Sequence, residues 1–564
     1  MHFAKRPAFP VSIALITAML SACAAEQRQV ASNSADSVVV TGQRKEAGTA
    51  GDASMAQPPS PRGPAAPLAP PPPAPAMMAA PQAGQYVRTR PFVPPVLVPA
   101  DPGRERYDGK DVSPVHLVAQ EPVSTFSIDV DTGAYANARR FLEGGQMPPR
   151  DAVRTEEMIN YFRYDYPRPD TRETPFSVTT DVAKTPWNAR TKLLRIGLRG
   201  YDLPAKGRPP ANLVFLVDVS GSMGSADKLP LVKTALSALA NELGRQDRVS
   251  IVVYAGAAGM VLEPTNDTAK IRAALNRLHA GGSTAGGAGL QLAYRIAEDN
   301  FVKGGVNRIL LATDGDFNVG VSDRKSLIRM VEDERDKGVT LTTLGFGTGN
   351  YNEAMMEQIA DHGNGNYSYI DSALEARKVL AEEMSSTLFT IARDVKIQVE
   401  FNPAAVSQYR LLGYENRALR EEDFDNDLVD AGEIGAGHQV TAIYEIVPAG
   451  SEGWIAPHRY DALAASGKAR EMAYVKLRYK LPDGDSSRLI ERPVAAALMR
   501  TARTPSGDFA FAAAVAAYGQ KLRADPLLYR YSFADIAGLA GRQDDYYRQE
   551  FIHLARLAGS LKAE

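Results

Sequence analysis

The chain is short of the residues from which most redox and hydrolytic sites are made. One of its 564 residues is cysteine, Cys23, and seven are histidine. A single cysteine excludes an internal disulfide framework and any cysteine-built metal site. The histidines (His2, His116, His279, His362, His438, His458 and His553) are scattered along the chain, which argues against a zinc site or a histidine general base. An excess of one charge is also missing: 64 Lys and Arg against 66 Asp and Glu leave a formal net charge of -2. Nucleic-acid binders show a basic face or stripe, so no nucleic acid is expected as a partner. There is no G-x-x-x-x-G-K-[ST] loop, no G-x-S-x-G elbow and no H-E-x-x-H. Ser225 and Lys228 satisfy S-x-x-K, but the S-D-N and K-T-G companions of that motif are absent. The chain is therefore not expected to be an enzyme.

A run of transmembrane length is absent beyond the first 22 residues, where Lys5 and Arg6 precede the run Val11 to Leu20. A charged n-region followed by an h-region reads as a secretory signal, and the run is too short to span a bilayer. The residues Leu20-Ser21-Ala22-Cys23 that close it resemble the lipobox of bacterial lipoproteins. That resemblance implies an acylated Cys23 as the first mature residue and a lipid membrane as a partner. With Ala24 next, it implies an outer-membrane lipoprotein of a Gram-negative bacterium, facing the periplasm, with surface exposure as the alternative. Beyond Cys23, 15 of the 38 prolines fall between Gln57 and Ala100. Such a stretch cannot bury enough apolar surface to offset chain entropy, and at about 3.1 Å per residue it would reach about 130 Å when extended. It reads as a disordered tether. Within it, "SVVVTGQRKE" (37–46) resembles the N-terminal box of TonB-dependent receptors. Val38-Val39-Val40-Thr41-Gly42 would then add a strand to a TonB-like partner; a chance apolar patch is the other reading.

Hydrophobic rhythm divides the rest. The expected organisation is a signal peptide (1–22), the tether (23–115), a small α/β segment (116–170), a β-rich domain in two pieces (171–205 and 390–500), an inserted domain (206–389) and C-terminal helices (501–564). Residues 176–198, 395–412, 439–447 and 473–480 alternate at strand period. Between them, 211–388 alternate buried-strand and amphipathic-helix patterns, such as "NLVFLVD" followed by Leu229, Val232, Leu236, Leu239 and Leu243 on one stripe. That alternation predicts a parallel sheet wrapped by helices, inserted in an antiparallel β domain. In the first segment, Asp129, Asp131 and Gly133 read as the cap of a helix, with a calcium loop as the alternative. The acidic stretch 421–433 reads as a solvated connection, with calcium binding again the alternative.

In open α/β sheets, ligands bind beyond the carboxyl ends of the strands. Three loops there carry side-chain oxygens: Asp218-Val219-Ser220-Gly221-Ser222, the glycine-rich "GGSTAGGAG" with Thr284, and "TDGD" with Asp314. Hard oxygens of this kind suit Mg²⁺. Together they resemble the metal-ion-dependent adhesion site of von Willebrand factor type A domains, in which D-x-S-x-S is followed by a threonine and an aspartate on later loops. The resemblance implies that Ser220, Ser222 and Thr284 bind the ion, that Asp218 and Asp314 act mainly through water, and that one coordination position stays open for an incoming carboxylate. Mg²⁺ is the implied cofactor, with Mn²⁺ or Ca²⁺ as alternatives. A second cation site of the integrin type is not expected, since only Asp227 follows the motif. Residues 120–560 resemble more widely the YfbK-like group of bacterial lipoproteins. The expected function is metal-dependent binding of an envelope protein that presents an acidic residue. The alternatives are an envelope scaffold that binds through its β domain, with the metal only stabilising loops, and a hydrolase of another kind.

Overall fold

The computed structural model describes residues 105–563 apart from 129–130, 170, 172, 205–207, 285, 316–323, 384–385, 387, 457–469, 483, 485 and 529. The signal, Cys23, the segment Val38 to Gly42 and the proline-rich stretch lie outside the described residues. Among the described residues, no helix is long and apolar enough to cross a membrane.

The inserted domain is built on a six-stranded sheet. Its order is 367–370, 340–346, 306–313, 211–218, 248–254 and 258–265, parallel except for the last strand, which runs antiparallel at the edge. The central strand Ala211–Asp218 is buried throughout. Its side chains alternate between the two faces, as strand geometry requires. Leu213, Phe215 and Val217 pack with Leu229, Val232, Leu236, Ile271 and Leu275, whereas Val214 and Leu216 pack with Leu290, Ala293, Ile296, Leu327 and Ile359. Helices cover both faces, so this is a doubly wound α/β domain.

The β-rich part is two antiparallel sheets. One has the order 116–117, 406–411, 439–448, 192–200 and 176–184; the other has the order 418–419, 123–127, 390–401, 471–480 and 487–495. They face each other through aromatic contacts: Phe401 stacks on Tyr409 at 4.4 Å and Phe176 meets Tyr479 at 5.2 Å. The 116–170 segment is woven into this sandwich, giving a short strand to one sheet and Val123–Ser127 to the other. The outer face of the first sheet, through Leu193 and Ile443, packs on the C-terminal helices Gly507–Leu522, Phe533–Ala540 and Tyr546–Ala563.

The helix Gly133–Glu143 begins without a side-chain cap from its own N-cap residue. Instead, Glu157 accepts the Ala134 N–H at 2.8 Å. Asp131, the expected capping residue, accepts the Tyr367 N–H and pairs with Arg417. It thus joins a buried charge cluster between the first helices, the inserted domain and the sandwich. Arg154 there contacts Glu157, Glu353 and Glu357 at 3.3, 3.4 and 3.0 Å, and Arg417 contacts Asp131, Glu357 and Asp361 at 3.0, 3.0 and 2.8 Å. The 421–433 stretch is held by cations: Asp423 pairs with Arg420, Asp425 and Asp427 pair with Arg478, and Lys396 donates to the carbonyls of Asp423 and Asn426.

Candidate metal centre at the end of the central strand

Asp218 is the last residue of the central strand and is fully buried. Both its carboxylate oxygens are oriented. The Ser220 N–H donates to Oδ1 at 2.8 Å, and the Thr313 hydroxyl donates to Oδ2 at 3.0 Å. The same Thr313 oxygen accepts the Gly315 N–H at 3.2 Å, which ties the Asp314 loop to Asp218. Ser220 and Ser222 share a hydrogen bond of 3.1 Å between their hydroxyls. Ser220 is buried, whereas Ser222 is exposed.

The glycine loop is pinned beside this stretch. The Gly221 N–H donates to the Gly282 carbonyl at 3.0 Å and the Gly281 N–H to the Val219 carbonyl at 2.8 Å. Gly282 holds a φ of +86°, a backbone state open to glycine at little cost. Thr284 follows two residues later, half-buried. The structure therefore joins Asp218, Ser220, Ser222 and the Asp314 loop through direct hydrogen bonds and lays the Thr284 loop against them. Cys23 lies outside the described residues.

Two residues that the motif does not name complete the arrangement. Lys228, immediately before the helix Leu229–Asn241, donates from Nζ to Asp314 Oδ2 and to Asn350 Oδ1, each at 2.9 Å. Asn350 donates in turn to Asp314 Oδ2 at 3.2 Å. In the sequence Lys228 stands out only as the lysine of S-x-x-K; its partners lie 86 and 122 residues away in the chain. The S-x-x-K pair is divided: the Ser225 hydroxyl donates to Asp227, while Lys228 turns to Asp314. Asp227, whose other oxygen accepts from Thr348, is likewise engaged.

The two carboxyls are tuned apart. Burial pushes the Asp218 carboxyl up, and the Asp314 charge adds to that; the Ser220 and Thr313 hydrogen bonds act the other way without reversing it. Burial also pushes Asp314 up, but the Lys228 ammonium, with hydrogen bonds from Ser222 and Asn350, brings it below the usual carboxylate range. Among the described residues, Asp218 is thus a buried acid paired with no cation. The donor set is all hard oxygen, and a divalent cation would relieve the repulsion between the two acids. Among the described residues, no group of three or more His, Cys, Asp or Glu could hold a metal; the donor set here mixes hydroxyls with two carboxylates.

The rim beyond Asn350 is held by the first described residues. The Gly349 N–H donates to Glu105 Oε1 at 3.0 Å, and Arg140 grips both Glu105 oxygens at 2.9 Å. The Arg106 N–H donates to the Tyr351 carbonyl at 2.9 Å and its carbonyl accepts the Glu353 N–H at 3.1 Å.

Comparison with known proteins fits this geometry. The family profile "von Willebrand factor type A domain" matches residues 212–383, and the profile "von Willebrand factor" matches 101–195. The profile "Uncharacterized protein YfbK, C-terminal" matches 386–561. The protein named "Uncharacterized protein YfbK" of Escherichia coli (strain K12) is 50% identical over 477 residues, 82% of each chain. The chain belongs to the YfbK family. Its inserted domain is a von Willebrand factor type A domain, and the family's C-terminal region comprises the later strands of the sandwich together with the C-terminal helices. Human inter-alpha-trypsin inhibitor heavy chain H4 is 28% identical over 195 residues, covering 32% of this chain and 21% of its own. The solved von Willebrand factor type A protein of Catenulispora acidiphila is 18% identical, covers 64% of this chain and 80% of its own, and gives a TM-score of 0.37.

Proposed function

We propose that the protein is a membrane-anchored, metal-dependent protein-binding module. Asp218, Ser220, Ser222, Thr284 and Asp314 would hold Mg²⁺, or Mn²⁺ or Ca²⁺ in its place. When bound, such an ion supplies an electrophile with a coordination position open to a carboxylate oxygen. The observation that carries the reading is the depth gradient of the motif. Asp218 and Asp314 are fully buried, Ser220 lies just above them and Ser222 reaches the surface. Acids below supply charge, and the Ser222 hydroxyl above is open to a partner. Asp218 keeps its orientation through Ser220 and Thr313, so little reorganisation accompanies loading.

The partner is an envelope protein that presents an acidic side chain. Acylated Cys23 anchors the chain in the outer membrane of a Gram-negative bacterium, facing the periplasm. Binding rather than turnover is the role, and the Ser225–Lys228 pair is drawn apart. Capture of partners from envelope extracts tests the reading. Capture is expected with Mg²⁺ and lost with EDTA or in Asp218→Ala; equal capture in all three would refute it.

A further inference from the structure

Lys228 is an odd choice for its position. The residue ahead of a helix meets the positive end of the helix dipole, where a cation is disfavoured. Its side chain is nonetheless only 7% exposed and is paired with a fully buried Asp314. The fold makes room for it. Gly347 sits at φ +75°, and a Cβ there would come within 2.2 Å of the Lys228 Cγ. Asn350 then holds both the ammonium and Asp314 Oδ2. A buried ammonium is thus built into the donor set itself, on one oxygen of one of its two acids.

We propose that Lys228 sets the metal affinity of this site and makes that affinity depend on an anionic ligand. The proposal rests on the metal-binding reading given above. Within the donor set, two carboxylates balance a divalent cation, and the ammonium adds a third positive charge beside it. In a buried site that charge is little screened. The chain alone therefore holds the cation weakly, and a carboxylate from a partner restores neutrality. Coupling is reciprocal: the ion raises affinity for the carboxylate by the factor by which the carboxylate raises affinity for the ion. The loaded surface then selects acidic partners over neutral ones by charge as well as by coordination.

Calorimetric titration of the full chain with Mg²⁺, in chloride and then in acetate at equal ionic strength, tests this. In the wild type, acetate is expected to tighten Mg²⁺ binding about fivefold or more. Lys228→Met and the polar variant Lys228→Gln are expected to bind Mg²⁺ about tenfold tighter in chloride, with the acetate effect falling towards none. Asn350→Ala keeps the ammonium and is expected to keep the acetate effect. The proposal is overturned if either Lys228 variant binds Mg²⁺ no tighter than the wild type, if the acetate effect survives in them, or if Asn350→Ala abolishes it. A wild type that binds no Mg²⁺ in either salt overturns the metal-site reading itself, a result distinct from unchanged affinity in the variants.

Discussion

Two acid-rich clusters in this molecule use their cations differently. At the junction of the first helices, the inserted domain and the sandwich, Arg154 and Arg417 each meet three carboxylates and are almost sealed from solvent. At the end of the central strand, among the described residues, Lys228 pairs with one acid, Asp218 pairs with no cation, and Ser222 is exposed. A guanidinium is a fork of five donors that can satisfy several oxygens in fixed geometry, whereas an ammonium is a point charge. The first cluster draws its cations from the chain and holds three parts together. The second is open on its solvent side, at Ser222.

The largest expected effect breaks the first cluster. Arg154→Met strands Glu157 and Glu353 without their shared cation and leaves Glu357 to Arg417 alone, and should cost about 3–5 kcal/mol in urea unfolding. pH acts on the same cluster. Burial pushes the Glu353 carboxyl up to about 8 from its ordinary 4.5, against the opposing pull of Arg154. The folded state keeps this proton where the unfolded chain has released it. The associated stability is therefore fully present below about pH 4.5 and lost as pH rises towards 8. Burial raises Glu156 and Glu157 in the same direction. The unfolding midpoint should fall between pH 5 and pH 8, and Glu353→Gln should flatten that fall.

Ser222→Ala sharpens the contrast from the open side. Ser222 is exposed and gives up one hydrogen bond each to Ser220 and Asp314, so stability should fall by only about 1–2 kcal/mol, while any rise in melting temperature produced by Mg²⁺ should disappear. The smallest effect belongs to a third group of acids. Arg478→Ala removes the partner of Asp425 and Asp427 at the surface, and should cost less than about 1 kcal/mol in the same unfolding assay.

The type A domain was legible because its signals are local. The run 211–218 is apolar on both faces, and the stripe Leu229, Val232, Leu236, Leu239 repeats at helical spacing. The division of the β region into two facing sheets was not legible, since periodicity marks strands and not their partners. Val123–Ser127 pairs with Thr390–Phe401, hundreds of residues later. The strand Ser487–Ala495 escaped notice because it is an exposed edge carrying Arg488, Glu491, Arg492 and Pro493. Such residues guard an edge against further pairing and erase its alternation. At the site, the five oxygen-bearing residues stood out as a motif. Lys228 and Asn350 did not, because a charged residue at a helix start and an asparagine in a glycine loop have ordinary explanations until a third loop brings Asp314 between them.

The grip on Glu105 and Arg106 has a mechanical consequence. The chain enters the fold at the loop that carries Asn350, held by Gly349, Tyr351, Glu353 and Arg140. A pull on the residues ahead of Glu105 would strain those few hydrogen bonds before it reached any apolar core. A load carried by Glu105 and Arg106 would thus be felt first at the rim of the candidate site, within one peptide unit of the side chain that steadies Lys228.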